Sequence, residues 1–100
     1  MKCKKEFSIM PNSPYYSTKR NTYNCERHEV FFGKAYRQKS INDGLVVFLT
    51  TENHRGTYGV HGMKGHKFNM YLKKIAQETW MQYYNKTEEE FRQRYGKNYL

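Results

Sequence analysis

The chain has 100 residues, and its 18 Lys and Arg against 9 Asp and Glu give a formal net charge of +9. A single domain of this size buries only a modest core, and no apolar run approaches the roughly 20 residues that cross a bilayer. The positive charge suits a polyanion, with nucleic acid as the first candidate partner. Two cysteines, Cys3 and Cys25, exclude a four-cysteine zinc site. Without a secretory signal we expect free thiols in a reducing cytosol.

Residues 1–24 show no sustained helical or strand period, and Pro11 and Pro14 disfavour both structures. We therefore predict a basic, tyrosine-rich, extended N-terminal arm at 1–24, followed by one domain at 25–100. Basic and aromatic groups together serve nucleic-acid binding. The arm's candidates for this are Lys4, Lys5, Lys19, Arg20, Tyr15 and Tyr16. The alternative is a solvated tail.

Two strands are predicted in the first half of the domain. Residues 26–32 are rich in strand formers and end at Gly33, and residues 45–49 form a continuous apolar run of a kind typical of a buried strand. Between them, 34–44 is predicted to be a polar loop closed by the turn signal Asn42-Asp43-Gly44. We expect the two strands to pair antiparallel.

Two helices are predicted in the second half, after a loop. Residues 50–65 contain four glycines, each of which costs roughly 1 kcal/mol inside a helix, so we predict an irregular loop. From residue 66 or 67 to about 84, apolar side chains follow helical spacing. Their stripe comprises Phe68, Leu72, Ile75, Thr79 and Tyr83. Thr87 and Glu90 form a capping box that starts a second, short helix ending at Gly96.

These elements predict an α+β fold in which an antiparallel hairpin packs on a long helix and a short C-terminal helix follows. The chain carries one polar cluster, Glu26, His28 and Glu29, before the apolar strand and another, His54 and His61, after it. This order is expected when a two-stranded ribbon and the segments after it converge on one metal ion.

A longer pattern supports that interpretation. H-E-V-F-F-G is followed by A-Y-R-x-x-S, D-G-L-V-V-x-L, H-x6-H and a C-terminal F-x3-Y-G-K-N-Y-L. This pattern resembles small phage and prophage proteins of the HNH (ββα-metal) nuclease superfamily, and the likeness covers residues 25–100. It implies a metal-dependent endonuclease that hydrolyses phosphodiester bonds in DNA, in the cytoplasm of a bacterial host.

The resemblance also implies site residues. His28 and Glu29 would be catalytic, and His28, His54 and His61 would hold the metal, with His66 in reserve. Related proteins commonly show two consecutive histidines where this chain has His28 and Glu29. Three interpretations stay open: Glu29 is a carboxylate base, His28 is the base beside a carboxylate ligand, or the site binds metal without cutting. An imidazole-rich site suits zinc or nickel, whereas carboxylate and water suit magnesium or manganese.

Four further residues are candidates for binding nucleic acid. Arg37 offers a fork of donors to a phosphate and Ser40 a hydroxyl, and Lys34 and Arg55 add positive charge. The alternative for Ser40 is a local hydrogen bond to the backbone. A second functional class is a catalytically inactive, HNH-derived zinc-binding scaffold that binds nucleic acid or inhibits a host defence protein.

Overall fold

A computed structural model describes residues 6–100 of the chain. The fold is α+β, as predicted, and contains a two-stranded antiparallel sheet. Strand β1 (Glu26–Glu29) pairs with β2 (Val46–Leu49), with His28 opposite Val47 and Glu29 opposite Val46. The predicted hairpin is confirmed. Its first strand ends at Glu29, three residues earlier than expected.

The segment between the strands contains helix α1 (Arg37–Asp43), so the prediction of a loop throughout 34–44 is wrong. Its sequence has a single strongly apolar residue, Ile41, which packs with Val46 and Phe48 of β2 in a small core cluster. A helix this short is stabilised by packing rather than by intrinsic propensity. With one apolar residue it shows no helical periodicity, so the sequence did not predict α1. Gly44 ends α1 in the left-handed conformation, at φ 79°.

The segment 50–65 contains another short helix, α2 (Thr51–Arg55), and only the part after Gly56 is irregular as predicted. The Thr50 hydroxyl caps α2 by accepting a hydrogen bond from the Asn53 amide at 3.0 Å. The prediction of a loop over the whole segment is therefore also wrong. A single capped turn of helix carries no periodicity, and the glycines that argued against a helix all follow it.

The two predicted helices are confirmed as α3 (His66–Tyr84) and α4 (Glu88–Tyr95). The capping box between Thr87 and Glu90 is present, and Gly96 ends α4 at φ 80°. The fully buried face of α3 runs through Leu72, Ala76 and Trp80, whereas Tyr83 of the predicted stripe is exposed. Buried side chains of α4, Phe91 and Tyr95, join the same core.

The carboxylate of Asp43 links helices α1, α3 and α4 through hydrogen bonds. Oδ2 of Asp43, the last residue of α1, accepts hydrogen bonds from Trp80 Nε1 at 2.9 Å, from Tyr95 Oη at 2.7 Å and from Arg94 Nε at 2.6 Å. Oδ1 accepts from Arg94 Nη2 at 2.9 Å, and the Asp43 carbonyl accepts from the Tyr84 hydroxyl at 2.9 Å. Each donor in this network therefore has its acceptor.

The described part of the predicted N-terminal arm, 6–24, packs against the domain. Met10 and Tyr16 are buried in the main core, so the Tyr16 ring is not available to nucleic acid. Ser17 exchanges two backbone hydrogen bonds with Phe48 of β2, at 2.9 and 2.7 Å. Lys4 and Lys5 lie outside the described residues.

Within 6–100, no helix combines the length and apolar character that a membrane span requires. Cys25 is an exposed free thiol, and Cys3 lies outside the described residues.

Candidate metal centre

Three histidines from different segments of the chain lie close together. His28 lies on β1, His54 lies on α2, and His61 lies in the loop after α2. One ring nitrogen from each lies within 4.8 Å of the others, and the ring centroids are 4.9 to 5.2 Å apart. Ligands of a tetrahedral zinc ion stand about 3.3 Å apart, since each Zn–N bond is about 2.0 to 2.1 Å. The three side chains predicted to share a metal are thus close enough to hold one after a small inward shift.

Backbone hydrogen bonds in the loop after α2 bring His61 beside His54. The His61 amide donates to the His54 carbonyl at 3.0 Å, and the Val60 amide donates to the Asn53 carbonyl at 2.9 Å. The backbone at Gly65 also packs so closely against Gly59 that a β-carbon on Gly65 would lie 1.6 Å from the Gly59 carbonyl oxygen. These glycines are therefore required by the fold that places His61.

His28 has the surroundings expected of a metal ligand. Its side chain is only 2% exposed, and its Nε2 atom is buried with no hydrogen-bond partner. Burial, followed by the charges of His54 and His61, lowers the pKa of His28 to about 3, so the ring is neutral near pH 7. A buried polar atom without a partner costs free energy unless something binds it. A neutral imidazole lone pair is what a transition metal requires.

His61 is the exposed member of the cluster. Burial of part of its ring, followed by the charge of His54, lowers its pKa, and Glu29 acts in the opposite direction. His54 contacts a carboxylate instead: its Nδ1 lies 2.9 Å from Glu26 Oε1. Because Glu26 and His28 are two residues apart on one strand, they project from the same face of β1.

Glu29 is not part of the cluster. Side chains alternate along a strand, so Glu29 lies on the opposite face of β1 from His28, together with Arg27. Its carboxylate pairs with Arg27 Nε at 2.7 Å and with Arg37 Nε at 3.6 Å. His66, the reserve ligand, is an exposed residue at the start of α3 and is likewise outside the cluster.

Two neighbours of the cluster were missed in the sequence. The Phe32 ring lies 5.6 Å from His28 and 4.8 Å from His61, measured between centroids. Lys73 of α3 places its Nζ over that ring, 4.7 Å from the centroid, and forms no ion pair within residues 6–100. Burial, followed by the charge of Lys97, lowers the pKa of Lys73. No local sequence signal links a residue of α3 to this site.

Of the four residues predicted to bind nucleic acid, Ser40 is excluded by its position. It is fully buried, and its hydroxyl accepts from the Phe31 amide at 3.1 Å and donates to the Phe31 carbonyl at 2.8 Å. The alternative of a backbone hydrogen bond is the one observed. Lys34 and Arg37 line a shallow depression of about 340 Å³ on the surface, and Arg55 is 68% exposed beside the cluster.

No protein-family model, curated protein or solved structure matches the chain. What the site can do therefore follows from its own donor set. Three imidazoles, one of them sealed from water with an unpaired nitrogen, fit a divalent transition metal such as zinc or nickel better than magnesium.

Proposed function

We propose that this protein is a phage-associated, metal-dependent, HNH-like endonuclease that hydrolyses phosphodiester bonds in DNA, in the cytoplasm of a bacterial host. The observation that carries the proposal is the convergence of His28, His54 and His61, with the buried Nε2 of His28 unpaired. A centre of three imidazoles beside an antiparallel ribbon suits single-metal phosphodiester hydrolysis.

In this proposal His28 and His54 hold a divalent ion beside His61, with zinc and nickel favoured over manganese and magnesium by the nitrogen donors. Such an ion, when bound, supplies charge that polarises a scissile phosphate and stabilises the leaving oxygen. Lys73 and Arg55 contribute positive charge next to the cluster and bind the flanking phosphates. Lys34 and Arg37 extend the basic surface along the DNA.

Exposure divides the roles among the histidines. His28, at 2% exposure, is suited to be a ligand, because water does not reach it. His61 is the imidazole that solvent reaches, so it is the candidate to accept a proton from the attacking water. Glu29, which the sequence offered as a carboxylate base, faces away with Arg27 and Arg37 and has no part in this proposal.

The test is a plasmid-nicking assay on protein first stripped with a chelator and then supplied with zinc, nickel, manganese or magnesium. We expect nicking with at least one of these ions, and we expect His28→Ala and His61→Ala to abolish it. His66→Ala is the matched control, since His66 lies outside the cluster, and it should cut like the wild type. Cleavage that survives both cluster substitutions would refute the proposal.

One observation favours the second candidate, a zinc-binding scaffold without catalysis that binds nucleic acid or inhibits a host defence protein. Among residues 6–100, no carboxylate joins the three imidazoles. If all three bind the metal, none is left to act as a base. One equivalent of zinc in the purified protein, together with binding of DNA but no nicking with any ion, would support this candidate over the nuclease.

A further inference from the structure

The Glu26 carboxylate lies where β1 meets α2, and three side chains of α2 converge on it. Its Oε1 accepts from Arg55 Nε at 3.0 Å and lies 2.9 Å from His54 Nδ1, and its Oε2 accepts from Thr51 Oγ1 at 2.6 Å. Thr51, His54 and Arg55 are spaced i, i+3 and i+4, so one face of α2 presents all three to the strand.

The chemistry of this contact determines the state of His54. The Glu26 carboxylate lies against the Arg55 guanidinium and the Thr51 hydroxyl, both of which donate to it, so it acts only as a hydrogen-bond acceptor. The short contact at Oε1 therefore requires a hydrogen on His54 Nδ1. In the neutral ring the lone pair is then on Nε2, the nitrogen that does not contact Glu26.

Glu26 contacts one histidine of the cluster and lies on the same strand face as another. His28 and Glu26 share one face of β1, and the His54 ring lies 5.2 Å from the His28 ring and 4.9 Å from the His61 ring. One strand face therefore supplies one imidazole directly and orients a second through a carboxylate. Metal-binding histidines commonly donate their other nitrogen to a carboxylate in this way, which fixes the tautomer and raises the basicity of the ligand.

We propose that Glu26 is a positioning residue of the metal centre, which holds His54 as the Nδ1–H tautomer with Nε2 available to the ion. Thr51 and Arg55 hold the carboxylate in turn, so that Glu26 orients the ligand without becoming one. This inference rests on the proposed metal site. It assigns to the E-x-H segment of β1 and the T-x-x-H-R segment of α2 a joint role in metal binding.

The first measurement is the tautomer of His54 in the metal-free protein, read from long-range ¹⁵N–¹H correlations of the imidazole. We expect the Nδ1–H form in the wild type and loss of that preference in Glu26→Ala. A wild-type His54 that is neutral with its hydrogen on Nε2 would overturn the inference, whatever the protein does to DNA.

The second measurement is zinc affinity, by competition with a chromophoric chelator. Glu26→Ala should bind zinc about 10- to 100-fold more weakly, the usual cost of removing such a partner. Glu26→Gln keeps an oxygen that accepts from Nδ1–H but loses the charge, so its loss should be intermediate. A merely structural role for Glu26 would show no such recovery in Glu26→Gln relative to Glu26→Ala.

Two controls separate this role from other causes. Glu89→Gln removes a carboxylate of α4 that pairs with Arg92, outside the cluster, and should change zinc affinity less than threefold. Arg55→Gln keeps the contact between Glu26 and His54 and should weaken zinc binding less than Glu26→Ala does. If Glu26→Ala fails to fold, the zinc affinity of Glu26→Gln and the tautomer of His54 in the wild type still test the role of Glu26.

The outcomes distinguish this inference from the proposed nuclease activity. Wild-type zinc affinity in a folded Glu26→Ala, or no zinc binding by the wild type, would refute the role of Glu26. Weakened zinc binding in Glu26→Ala, in a protein that cuts no DNA, would uphold that role and reject the nuclease.

Discussion

Two groups of polar side chains sit inside this small protein, and they differ in how completely they are paired. At the Asp43 network, Trp80, Arg94 and Tyr95 all donate to one carboxylate. At the three-histidine cluster, His28 Nε2 is buried with no partner. Both groups join elements that are distant in the sequence. The first does so through hydrogen bonds, whereas the second includes a buried nitrogen, His28 Nε2, that forms none.

The difference separates a stabilising arrangement from a binding one. A fully paired buried network repays the cost of desolvating its members, and removing its acceptor leaves several donors unsatisfied. An unpaired buried nitrogen has the opposite effect, because it costs free energy until a ligand occupies it. We therefore expect substitutions in the Asp43 network to lower stability and those in the histidine cluster to lower binding.

The largest effect should come from Asp43→Ala. Arg94 would lose its counter-ion and Trp80 and Tyr95 their acceptor, so the free energy of unfolding should fall by about 3 kcal/mol, the low end for a broken buried ion pair because Arg94 is partly exposed. Urea denaturation measures this. Glu89→Ala, which removes the surface pair with Arg92, is the control and should leave the unfolding free energy nearly unchanged. Equal stability of the two variants would contradict the comparison.

Tyr16 is another buried polar group with a hydrogen-bond partner, and its contribution to folding stability should be lost at high pH. Its hydroxyl donates to the Pro11 carbonyl, and burial raises its pKa to about 12, against about 10 in an unfolded chain. Between these values the unfolded chain releases a proton that the folded chain keeps, so stability is complete below pH 10 and is lost as the pH rises through 12.

The expected loss from this one residue is about 2 kcal/mol, and Tyr16→Phe should remove it. Denaturation at pH 8 and at several pH values from 10 to 12 gives the measurement. The control is Tyr23→Phe, because Tyr23 is 80% exposed. A Tyr16→Phe protein with the same alkaline decline as the wild type would show that residues 6–24 are not packed as described.

The two groups also differ in how their cations are paired. Arg94 forms an ion pair with Asp43, whereas Lys73, beside the histidines, forms no ion pair within residues 6–100. If Lys73 binds a phosphate, Lys73→Met should weaken binding of a labelled DNA duplex roughly 5- to 10-fold at low salt, about 1 to 1.4 kcal/mol. Fluorescence anisotropy in a chelating buffer measures it without cleavage. Lys74→Met, at an exposed neighbouring position, is the control, and equal losses in both variants would indicate only a diffuse effect of charge.

The smallest effect has the opposite sign. His28→Leu replaces a buried, unpaired imidazole with an apolar side chain, so the metal-free protein should gain about 1 kcal/mol of stability. The same variant should lose the increase in melting temperature that zinc gives the wild type, which His66→Leu should keep. A metal-free His28→Leu protein that is clearly less stable than the wild type would mean that His28 is structural.

Much of the candidate site could be predicted from the sequence. The strand-forming residues placed His28 on the first strand and His54 and His61 after the second, the resemblance implied that all three hold one metal, and the structure brings them together. Adjacent residues of a strand face opposite sides of the sheet, so the sequence also predicts that Glu29 faces away from His28. The resemblance to proteins with two consecutive histidines instead suggested that His28 and Glu29 act together. The partnership of Glu26 with α2 could not be predicted, because it depends on how two elements pack.

By itself, the sequence determined the hairpin, the long helix α3 and the capped helix α4, because hydrophobic periodicity and capping residues act over a few neighbouring positions. Only the tertiary structure decided that α1 and α2 are helices, that Ser40 is buried on Phe31, and that Lys73 stands beside the histidines. Short helices and single buried polar groups are stabilised by contacts with residues that are distant in the sequence. A local sequence pattern does not reveal those contacts or their free energy.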